Sequence, residues 1–67
     1  MENKEITITV AGKAFTGKAT VISIIKKALL DNGIDDIKII SGSPIPILTD
    51  KVKEKVKDRK VIIQEVR

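Results

Sequence analysis

Ile6, Ile8 and Val10 alternate with Thr7 and Thr9, and a period of two in β-branched residues predicts a strand with one strongly apolar face. It ends at Ala11-Gly12. From about Gly17 to Asn32 the period changes, with Val21, Ile22, Ile25, Ala28 and Leu29 forming one stripe and Thr20, Ser23, Lys27 and Asp31 lining the other side. This spacing predicts an amphipathic helix. Asn32-Gly33 marks its end, because glycine takes the left-handed conformation that closes a helix. "IKIIS", residues 37–41, is a short apolar run suited to a buried strand, and "GSPIPI" after it interrupts regular pairing with Gly42, Pro44 and Pro46. Leu48, Val52 and Val56 fall at i, i+4 and i+8 and predict a short second helix, with Thr49 as N-cap and Asp50 in the first turn. "KVIIQEV", residues 60–66, reads as a last strand.

The order strand, helix, strand, helix, strand predicts a single α/β domain over residues 1–67. Its small three-stranded sheet is expected to be mainly parallel, in β-α-β-α-β order, each helix carrying the chain back across a sheet face. The alternative is β-β-α-β-α-β, in which Ala11-Gly12 or Gly12-Lys13 is the tip of an amino-terminal hairpin and Ala14 to Thr16 a short return strand.

Size and composition limit what such a domain can do. A chain of 67 residues buries only about 60% of its unfolded surface. With no cysteine and no histidine, neither disulfides nor imidazole chemistry contributes, and self-association is expected to add stability. No apolar run approaches the roughly 18 residues a spanning helix needs, and the amino end "MENKEITITV" is charged, so a cytoplasmic protein without membrane contact is expected.

The net charge of +4 lies entirely in residues 51–67, where seven basic side chains face Glu54, Asp58 and Glu65, while residues 1–50 cancel at six of each sign. Such a segment attracts nucleic acid through Lys51, Lys53, Lys55, Lys57, Arg59 and Lys60, but the same composition is usual on a solvated face. Phe15 is the sole aromatic, so stacking platforms for single strands are lacking. Asp31, Asp35 and Asp36 read as a solvated turn, since their spacing matches no metal loop.

In an α/β layer, ligands sit at the carboxyl ends of the strands. Gly12 to Lys18 occupies that place and reads G-K-A-F-T-G-K. A turn of this kind points backbone N–H groups inward, adds the positive end of a helix dipole and brings one ammonium to the same point, and all three attract phosphate. The simpler reading is a connecting loop whose glycines permit positive φ.

"AGKAFTGKAT" resembles a degenerate Walker A loop, and "ITITVAGxxxxGKxTxxxxIKKALLDNGI" resembles the amino-terminal unit of P-loop nucleotide-binding proteins, in particular small P-loop-like proteins encoded by bacteriophages. The likeness spans residues 5–40. It implies Gly12 and Gly17 as loop glycines, Lys18 as the phosphate lysine, and Lys13, Ala14, Phe15, Thr16, Ala19 and Thr20 as the rest of the binding segment. The implied ligand is ATP, another nucleoside phosphate or phosphate itself.

The departures bear on chemistry. Ala19 stands where the pattern has the Mg²⁺-binding Ser or Thr, and Thr20 is about 100° further round the helix. Phe15 stands where a loop glycine is common, and "VIIQE" puts Gln64 and Glu65 where an acidic metal ligand should end a strand. Binding without hydrolysis, and without clear Mg²⁺ dependence, is therefore the expectation. The competing reading is an interaction protein, phage-derived and resident in the host cytoplasm, that keeps the scaffold but binds itself or a host protein through sheet edges. Nucleic-acid binding ranks third.

Overall fold

A computed structural model describes residues 4–66. Glu2 and Arg67, which enter the charge pattern, lie outside the described residues. Two helices are formed, α1 at Lys18–Asp31 and α2 at Asp50–Glu54, joined and flanked by turns and irregular chain.

α1 follows the apolar period closely at both ends. Gly17 is its N-cap, in the left-handed region at φ 92° and ψ 27°, and its carbonyl accepts the first ladder bond from Val21 N at 3.0 Å. The far end is a Schellman closure. Ile34 N donates to Leu29 O at 3.0 Å and Gly33 N to Leu30 O at 3.1 Å, with Gly33 at φ 84°, so the last carbonyls are satisfied as the chain leaves the helix. Asn32 adds a side-chain bond from Nδ2 to Ala28 O at 2.7 Å. The Lys27–Asp31 pair at 3.3 Å is exposed on both sides and contributes at most about 0.5 kcal/mol.

α2 begins as its sequence suggests. Thr49 Oγ1 accepts from Val52 N at 3.2 Å and Asp50 occupies the first turn. After five residues the spiral tightens into three-residue turns, with Val56 N donating to Lys53 O and Arg59 N to Val56 O. Leu48, Val52 and Val56 are half-buried together, as their spacing requires.

The expected sheet is not there. Among the described residues no strand is formed, so neither the β-α-β-α-β order nor its hairpin alternative describes this chain. Residues 6–10, 37–41 and 60–66 run without a ladder, and Ala14-Phe15 form a turn where the alternative had a return strand. For the carboxyl-terminal stretch a physical reason lies in α2. A helix of five residues spans about 7.5 Å, less than half the roughly 17 Å of a short strand, so it does not carry the chain back to lie parallel to its predecessor. β-Branched composition is a preference for a pleated, half-buried surface, and without a neighbour it makes no strand.

The helix face that faces inward also differs from the expected stripe. Val21, Ile22, Ile25 and Leu29 are half-buried and Ala28 is exposed, while the most buried residues are Thr20 and Ser23. Ser23 Oγ donates to Pro46 O at 2.8 Å, drawing the proline segment across this side of α1. That carbonyl lies in irregular chain with no ladder donor, so a side-chain hydroxyl answers it. No apolar residue is fully buried among the described residues.

Gly17 is the tightest position. A Cβ built there collides with Val56 Cγ1, and the backbone has φ +92°, whereas a Cβ at Gly42 meets nothing within 4 Å. Gly17→Ala should therefore cost more than about 1 kcal/mol, and Gly42→Ala should stay within about 0.5 kcal/mol. Urea unfolding followed by helical circular dichroism checks the pair.

Candidate functional site

The segment from Gly12 to Thr20 forms a closed loop leading into α1. Lys13 O accepts the Thr16 hydroxyl at 2.8 Å, pinning the turn at Ala14-Phe15. Lys18, the first helical residue, folds its side chain back over the loop, and Nζ donates to Gly12 O at 2.7 Å and to Lys13 O at 3.2 Å. An ammonium carries three donors, so one remains. The loop thus holds its own lysine over its centre, with two carbonyls turned toward it.

The backbone amides complete the picture. Gly17, Lys18, Ala19 and Thr20 have no intrahelical partner for their N–H groups, no side chain caps the start of α1, and its first turn contains no acidic residue. None of these amides donates to another described residue. Free N–H groups and the dipole make this end positive, and a helix ordinarily places an anion there. Here it places Lys18.

Two further groups border the loop. Arg59 Nε donates to Thr16 O at 3.1 Å across 43 positions of sequence, while Arg59 Nη1 holds Asp58 Oδ1 at 2.8 Å. On the other side a recess of about 260 Å³ is lined by Val10, Lys18, Ala19, Ile22, Ile40 and the run Ser41-Gly42-Ser43. Ser41 Oγ accepts from Ser43 N at 3.3 Å and donates to Ser43 O at 2.9 Å. The sequence reading missed both contributions. Arg59 was counted only within the basic segment, Ser41 only as the end of the run 37–41, and Gly42-Ser43 only within a break in pairing. Two hydroxyls flanking a glycine were the signal for the second, but nothing local announces the first, because it arises from a contact across the chain.

Of the expected binding segment, Gly12, Lys13, Thr16, Gly17 and Lys18 are brought together by the bonds above. Ala19 lines the recess. Thr20 is buried in the first turn of α1 and does not line it. Phe15 adopts φ 64° and is fully exposed, so its ring leaves the loop open. The conformation is one glycine takes freely, which accounts for the strain of an aromatic residue there.

Elsewhere the basic segment is partly neutralised from within, by Lys53–Asp50 at 3.7 Å, Lys57–Glu54 at 2.9 Å and Arg59–Asp58 at 2.8 Å. Among the described residues no group of three or more acidic, Cys or His side chains is placed to hold a metal, and no helix is long and apolar enough to cross a membrane. Comparison with known protein families, with characterised proteins and with solved structures finds no match to this chain.

Phe15→Gly should relieve the positive-φ strain and raise stability by about 0.5–1 kcal/mol. A Phe15→Val variant should lower it instead, since a β-branched residue tolerates this region least. Thermal melts of the three chains give the order.

Proposed function

We propose that the loop Gly12–Thr20 holds a phosphate-type anion, free or as part of a nucleotide, and that it binds without hydrolysing. The observation that carries this reading is the start of α1: uncapped amides at the positive end of a helix, with the Lys18 ammonium drawn over the loop that precedes them. An anion there accepts from the amides and from the third Lys18 donor, and offsets a cation that the helix dipole otherwise opposes. Arg59 at the rim and the Ser43 hydroxyl at the recess supply further donors of the right kind.

Turnover has no support in the residues present. Ala19 offers no side-chain oxygen to Mg²⁺, and the carboxyl-terminal Glu65 lies in irregular, exposed chain with no described acidic cluster around it. The reading is therefore of a binding module, with Mg²⁺ making little difference to affinity.

Calorimetric titration with inorganic phosphate, ATP and GTP, each with and without Mg²⁺, tests it. Binding should appear with at least one of them, weaken with added salt, and fall about tenfold or more in Lys18→Ala, as expected for loss of a charge-assisted hydrogen bond. Silence with every anion, or binding indifferent to Lys18, would end the reading. Salt-sensitive binding to nucleic acid that survives Lys18→Ala but is lost when Lys51, Lys55 and Lys60 are neutralised would assign the basic segment instead.

A further inference from the structure

The chain leaves an unusual amount of apolar surface in water for its size. It exposes 6637 Å², against about 4,200 Å² for a compact monomer of 7.3 kDa. Its radius of gyration is 13.0 Å, against about 11 Å for a compact chain of this length. Many of the exposed apolar side chains fall in three stretches. Ile6 at 90%, Ile40 at 85%, Ile63 at 95% and Val66 at 80% exposure all lie in the irregular stretches at the two ends and after α1, where the backbone also lacks a ladder.

We infer that these irregular stretches are the contact surface for a second copy of this chain, and that the folded unit is a homodimer. The area is the first argument. Each chain carries about 2,400 Å² beyond a compact monomer, and two such surfaces together match the 2,000–5,000 Å² or so of obligate homodimers. Charge is the second. Each copy carries +4, yet residues 6–12, 39–49 and 61–64 contain no charged side chain, and the basic excess is confined to the intervening segment after Asp50. Two like-charged copies meet along the uncharged stretches without desolvating the lysines of that basic segment. The backbone N–H and C=O groups of residues 6–11, 39–40 and 61–64, which make no hydrogen bond to another described residue, then pair between copies, which is how exposed unpaired segments commonly associate. A second copy also presents the same uncovered surface, so one contact relieves both chains, as an isologous interface does.

Sedimentation of the unmodified chain in phosphate-free, nucleotide-free buffer decides the matter independently of anion binding. The expected result is a species of twice 7.3 kDa at micromolar concentration, with a urea midpoint that rises with protein concentration, because dimer formation and folding are linked. Ile63→Lys should shift the population toward the single-chain mass, while Lys26→Glu on the exposed side of α1 should leave it dimeric. A single-chain mass at every concentration with a concentration-independent midpoint would overturn the inference, and so would polydisperse assemblies without a defined dimer. Loss of folding in Ile63→Lys would leave the measurement on the unmodified chain to decide.

Discussion

The structure turns on the place where the loop before α1 meets the turn after α2. Gly17 lies so close to Val56 that a side chain at position 17 has no room, and one position earlier Thr16 O receives Arg59. These contacts join residues some 40 positions apart, and with Ser23 on Pro46 they fix how the carboxyl-terminal half lies against the helix. They also set the loop. With Thr16 O taken by Arg59 and the Thr16 hydroxyl turned back to Lys13, the peptide before Gly17 is held from both sides, and the left-handed turn at Gly17 launches α1 in one direction.

The ends of α1 and the cap of α2 were readable because they depend on a few consecutive residues. Asn32-Gly33 closes a helix through bonds that span six positions, and Thr49 caps one through a bond that spans three. The sheet was misread for the opposite reason. Ile6-Thr7-Ile8-Thr9-Val10 has the alternation of a strand, but a strand is a relation between segments, and although Ile40 shares a recess with Val10, no described segment pairs with this run through a backbone ladder.

The candidate site divides along the same line. The glycine-lysine loop was readable as a run of residues, and the bonds from Lys18 to Gly12 and Lys13 keep those residues together. What the spacing did not reveal is the polarity of the loop's lining, with two carbonyls facing the ammonium while the free amides lie one turn further on, at the start of the helix. Arg59 was beyond reach because its partner is chosen by the fold. Phe15, standing where a loop glycine is common, takes the positive φ of a glycine with its ring in solvent.

Association and anion binding draw on different parts of the chain but meet at one recess. Val10 and Ile40 line it beside Lys18, and both belong to the stretches that a second copy would cover. Burial of those stretches by a second copy would lower the local dielectric around the Lys18 ammonium and the free amides, which would strengthen their hold on an anion and raise the cost of leaving the recess empty. An anion in turn removes the repulsion between Lys18 and the dipole of α1, firming the helix from which the apolar side chains project. If both occur, each should favour the other through this shared boundary. By linkage the coupling would have the same size in either direction, so the gain in pairing on adding an anion and the gain in anion affinity on pairing would be two readings of one coupling free energy.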